Sequence, residues 1–154
     1  MHATPAAPGL RRLILSAVLL VLIQAGIGMV VNLFVTIPAH HPGARPASYF
    51  SGSASSVGWA VTHGASALAI HATLGLALAV VVIAVAVRSF AVPSWPTRAW
   101  SILGALLVIG AGFNGASFLD FNYDVSSLIM ALLALGAVAS YAVVLFLLAG
   151  ARTR

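Results

Sequence analysis

Residues 59–87 read WAVTHGASALAIHATLGLALAVVVIAVAV, and the reading of this run decides the fold. It carries no Asp, Glu, Lys or Arg, and it exceeds the roughly 20 apolar residues that a helix needs to cross a bilayer. Two histidines, His63 and His71, interrupt it. An imidazole inside a membrane loses its hydration, so such a residue points to a functional site with a partner. At about 100° and 1.5 Å per residue, one continuous helix sets the two rings about 80° apart around its axis and about 12 Å apart along it. Both can then face one bundle interior, but they cannot chelate one ion together. Gly64, Ala67 and Gly75 share the face of His71 at helical spacing. Small residues there let a neighbouring helix approach closely or leave room for a flat ligand.

The whole chain has the composition that this run suggests. Of its 154 residues 62% are hydrophobic and 6% charged, which predicts one integral membrane domain over residues 1–154 and excludes a soluble protein. Cysteine is absent, so disulfides and thiol redox relays within the chain are excluded. The net charge of +5 comes from arginines scattered between apolar runs, against only Asp120 and Asp124. That distribution offers no surface for nucleic acid.

Outward from the central run, residues 1–10 read as irregular, and Arg11 and Arg12 lead into an apolar stretch at 13–37. A basic segment before an apolar one also opens a secretory signal. This stretch is longer than the roughly 7–15 residues of a signal core, and no small-x-small site closes it, so it is expected to be a span. Residues 99–119 and 125–149 supply two more. Four spans, at about 13–37, 59–87, 99–119 and 125–149, predict an all-α four-helix bundle, because backbone in lipid must satisfy its own hydrogen bonds and no strand-like alternation appears. Between the first two spans, residues 36–58 (TIPAHHPGARPASYFSGSASSVG) are polar and turn-rich. They read as a loop of about twenty residues, longer than a connection requires.

Arginine placement predicts orientation. Arg11, Arg12, Arg88, Arg98, Arg152 and Arg154 fall on one side and Arg45 on the other. Both termini and the turn after the second span are therefore expected to be cytoplasmic, in the plasma (inner) membrane of a bacterium, with the long loop outside. Trp95 and Trp100 then fit an inner aromatic belt, and Trp59 and Tyr123 an outer one.

Each span has a readable inward face. Gln24, Gly28 and Asn32 stand at i, i+4 and i+8 on the first, Gly104, Gly110, Gly112, Asn114, Gly115 and Ser117 mark the third, and Ser127, Met130, Ala134, Ala137 and Tyr141 recur on the fourth. These stripes predict a compact left-handed bundle. Amides and small residues in such stripes also serve simply as helix-packing glue. Counted from Trp59, His63 lies about 6 Å inward and His71 about 18 Å, near the midplane. His63 is then either a ligand or a partner of the loop. His71 is either a haem or metal ligand or a neutral ring bonded to Gln24 or Asn32. Outside, His40, His41, Asp120 and Asp124 can converge into an imidazole and carboxylate set suited to Zn or Cu. The alternative is a solvated loop, with the two aspartates capping the fourth helix.

Gln24, Gly28 and Val31, followed after a loop by IHATLGLALAVV, resemble the helix pair in one four-helix half of a haem A synthase, where a Gln-and-Gly helix precedes a haem-ligating His on the next helix. The resemblance covers the first 85 residues or so and rests on the first two helices. It implies a haem-ligand role for His71. That family also duplicates its four-helix unit, places a second His on the fourth helix and keeps an acidic residue near the active-site His. Here the matching part of the fourth helix has Ser126 and Ser127, and the second has no carboxylate.

Three readings follow. One is a haem-binding membrane protein in electron transfer or haem handling, with His71 as axial ligand, His63 as a possible second one, and Gln24 and Asn32 lining the site. The second is a non-catalytic membrane subunit whose outer loop docks a partner, in a homo-oligomer or a membrane complex. The third, a small oligomeric transporter, is the least expected, because no acid lies within the expected spans to couple ion movement.

Overall fold

The computed structural model describes residues 6–150, and Arg152 and Arg154 lie outside the described residues. Five helices follow in order: α1 Ala6–Phe34, α2 Tyr49–His63, α3 Ser66–Ser89, α4 Trp95–Phe121 and α5 Asp124–Gly150. All but α2 are long and apolar enough to cross a membrane. The all-α, four-span expectation therefore holds in its coarse form.

The apolar residues explain the packing. Leu10, Ile14, Ala17 and Val21 recur at helical spacing on α1 and close on Leu78, Val82 and Val85 of α3 and on Tyr141, Val144 and Leu148 of α5. Around the bundle α1 lies between α3 and α5, and α4 faces it between the same two neighbours. Among the described residues, the backbones of α1 and α4 do not come close, nor do those of α3 and α5. Between α4 and α5 the ring of Tyr141, with 0% exposure, lies over Gly104, where an added Cβ would stand 2.6 Å from its Cε1. In lipid such interdigitation, rather than expulsion of water, draws helices together.

The ends of the helices follow from local chemistry. Helix α1 is already helical at Ala6, well before the expected start, and Pro8 lies near that end. Ser94 caps α4, its Oγ accepting from the backbone N of Thr97 at 3.4 Å. Asn122 adopts a left-handed conformation (φ 54°) and ends α4 by donating its N–H to the Phe118 carbonyl at 2.8 Å. Only Asn122 and Tyr123 separate α4 from α5.

The central run is not one helix. It breaks at Gly64 and Ala65, both in extended conformations, so Trp59 and His63 belong to α2 and the span starts at Ser66. A Cβ on Gly64 would lie 2.4 Å from the Ala60 carbonyl oxygen, so the chain reverses there against its own backbone and only glycine fits. Much of the expected long loop is in fact helix. Helix α2 lays its small face, Gly52, Ser53, Ser56 and Ala60, against α3 and α4 at the end of the bundle.

Candidate functional site

His71 meets α1 at the glycine of the polar stripe. A Cβ on Gly28 would stand 2.9 Å from His71 Cε1 and 3.5 Å from Nδ1, so the ring edge rests directly on helix backbone. Gln24, one turn earlier, donates from Nε2 to the His71 carbonyl at 2.8 Å, and Gly75 makes room for that amide. Two atoms of this cluster, His71 Nδ1 and Gln24 Oε1, are buried without a hydrogen-bond partner. Leaving such groups unmatched costs about 1–3 kcal/mol each, so the cluster is polar beyond what packing alone needs. Because the span begins at Ser66, His71 lies only about 7.5 Å inside it at 1.5 Å per residue, in the loop-end third rather than near the midplane.

The other residues of the expected cofactor site are dispersed. Asn32 accepts from Ser127 Oγ at 3.1 Å, which ties α1 to α5. His63 ends α2, exposed, with Nδ1 2.7 Å from Thr62 Oγ1. Since the break separates them, His63 and His71 do not share a helix face. Asn114 bonds back to the Gly110 carbonyl of its own helix at 3.0 Å.

At the loop end, the expected metal residues do other work. Among the described residues no three His, Cys, Asp or Glu side chains gather as ligands. His41 Nε2 lies 3.1 Å from the Leu119 carbonyl, and its ring stacks on Trp59 at 4.4 Å. The backbone N of Arg45 donates to the Asp120 carbonyl at 2.9 Å. With Asn122 on the Phe118 carbonyl, the loop and the turn thus satisfy the carbonyls that the end of α4 leaves open. Asp120 is not an outer loop residue: it sits in the last turn of α4 at 2% exposure, where its Oδ2 accepts from Ser53 Oγ at 2.8 Å and its Oδ1 is buried and unpartnered. His40 is exposed, and Asp124 is exposed in the first turn of α5, where a negative charge complements the helix dipole.

Residues that sequence reasoning passed over complete this lock. Tyr49 donates from its hydroxyl to the Phe113 carbonyl at 2.9 Å and lies 3.0 Å from Ser117 Oγ, while Ser53 holds Asp120. The spacing of Gly52, Ser53, Ser56 and Ala60 was the available signal, a small-residue stripe at helical period. Between loop and turn a pocket of about 220 Å³ remains, lined by His41, Arg45, Asp120, Asn122 and Tyr123 among others. Compared with protein family models, characterised proteins and solved structures, the chain matches none.

Proposed function

We propose that this multi-pass membrane protein binds haem through His71 and serves haem handling or membrane electron transfer. The observation that supports this reading is the buried, unpartnered Nδ1 of His71 on a glycine seat within a span. A ligating histidine binds through one ring nitrogen and donates the other N–H to an acceptor that fixes its orientation. Gln24, already bonded to the His71 carbonyl, carries such an acceptor in its unpartnered Oε1. His71 is the sole histidine of the four candidate spans and would be the residue that holds the iron, with Gln24 orienting its ring. Bound haem supplies an iron centre for one-electron or ligand chemistry. The resemblance to half of a haem A synthase supports the same ligand.

The test is an absorption spectrum of the detergent-purified protein after haem supply. A Soret band is expected in the parent and in His63→Leu, and its loss in His71→Leu. A parent without the band would overturn the haem reading. The second reading, a subunit whose loop docks a partner, is favoured by the several bonds that tie loop and α2 to α4. Under it, His71→Leu changes only thermal stability. For orientation we propose the loop outside and both termini in the cytoplasm of a bacterium. Reporter fusions at Ser53 and at the C-terminus should report opposite sides, and the same side for both would reject this.

A further inference from the structure

The charges of the chain are segregated by end. Arg11 and Arg12 near the start of α1, Arg88 at the close of α3 and Arg98 in the first turns of α4 stand opposite the loop, whereas Asp120 and Asp124 stand beside it. Among the described residues no carboxylate accompanies these arginines. Arg88 reaches back onto α1: a Cβ on Gly9 would lie 3.6 Å from its Nη1, ordinary contact distance, so the guanidinium lies alongside the first turns of that helix. Arg12 is three residues from Gly9 and shares that face, about one turn along. Arg98 lies with its guanidinium carbon 4.9 Å from the ring centre of Phe90, and its Nε is buried without a partner.

Cations gathered at one end without counter-charge repel one another, and guanidinium groups pair with phosphate in a fixed, forked geometry. The surroundings identify which phosphate. Phe90 is 59% exposed and Trp95 74%, as aromatic side chains at headgroup level are. Below Arg88, Val87, Ile83 and Val80 share one outward apolar face of α3 at steps of four and three, a track for an acyl chain.

We propose that Arg12 and Arg88 bind the phosphate of an anionic phospholipid at the α1–α3 edge of the arginine end of the bundle. The site is independent of the haem reading. Its test is the melting temperature of the protein in phosphatidylcholine bicelles, in the same bicelles containing phosphatidylglycerol, and in phosphatidylcholine with inorganic phosphate. Phosphatidylglycerol should raise the melting temperature by several degrees and inorganic phosphate should not. Arg12→Gln/Arg88→Gln should lose most of that increment, and Arg11→Gln, on a different face, should keep it. Should the double variant not fold, Arg88→Gln in the same assay decides. The proposal is overturned by an equal increment with inorganic phosphate, by no increment with phosphatidylglycerol, or by a full increment in the arginine variant.

Discussion

The two ends of the bundle solve the same packing problem differently. Near the arginine end, Leu10, Ile14, Val82, Val85, Tyr141 and Val144 are fully or almost fully buried and meet as apolar surfaces. At the loop end the buried apolar set shrinks to Val31, Ile37, Ala60, Leu68 and Leu119, and the helices are joined instead by side-chain hydrogen bonds: Gln24 to the His71 backbone, Ser127 to Asn32, Ser53 to Asp120 and Tyr49 to Phe113. Both ends use glycine for close approach, yet what fills the space differs. At Gly104 it is an enclosed phenol ring, and at Gly28 it is a half-buried imidazole that chemistry can use. A closed packing contact and a partly open polar one therefore stand at opposite ends.

The contrast is broken most severely at the dry end. Gly104→Val puts its Cβ within 2.6 Å of a ring with nowhere to go, and overpacking of this kind costs about 1–3 kcal/mol or more. We expect the largest loss of unfolding free energy there, and a Gly28→Val variant that proved worse would reverse the assignment of the two ends. Next in size is Ser53→Ala, which removes the hydrogen bond to Asp120 and leaves both carboxylate oxygens of a buried group unmatched. About 2 kcal/mol should be lost, with faster proteolysis of the loop and unchanged α4–α5 packing. A change in loop protection no larger than elsewhere would show that Asp120 does not hold α2.

The third effect is smaller. Gly28→Ala brings its Cβ to 2.9 Å from His71 Cε1, but the imidazole is the end of a side chain and can swing aside. A loss of about 1 kcal/mol is expected, and it should vanish in a His71→Ala background, since contacting residues couple. Persistence of the full loss in the double variant would place the strain elsewhere. Smallest of all is Tyr141→Phe. The Tyr141 hydroxyl is buried without a partner, so its removal should leave stability within about 0.5 kcal/mol or raise it. A clear loss would reveal a polar network at the end described here as dry.

Several of these features were legible in the residues. Apolar runs of bilayer length marked the four spans, and the spacing of Gln24, Gly28 and Asn32 marked the face of α1 that meets α3 and α5. Helix α2 was hidden because its stretch is rich in Ser and Gly, weak helix formers that read as loop when their buried face is not considered. The break after His63 escaped notice since Gly64 looks like any small residue of an apolar run. Its special role shows only in the turned chain, where any Cβ at this position would meet the Ala60 carbonyl. Asp120 was read as outer loop on charge alone, yet a carboxylate is buried when a serine from a distant helix meets it. His41 pairs with a backbone carbonyl, an acceptor every residue carries and no sequence pattern advertises.

The lock at the loop end also imposes an order of manufacture. Its four side-chain bonds to α4 join residues 64, 67, 68 and 78 positions apart, whereas Gln24 and the His71 carbonyl are separated by 47. As the chain emerges from the ribosome, α1 and α3 have everything they need to pair before α4 exists. Helix α2 can rest on α3, but its hydrogen bonds must wait until the final turn of α4 has been delivered. Chains arrested ahead of residue 113 should therefore carry a paired α1 and α3 with a protease-sensitive segment at 36–63. Extension past Asn122 should close that segment, making it the last part of the molecule to be finished.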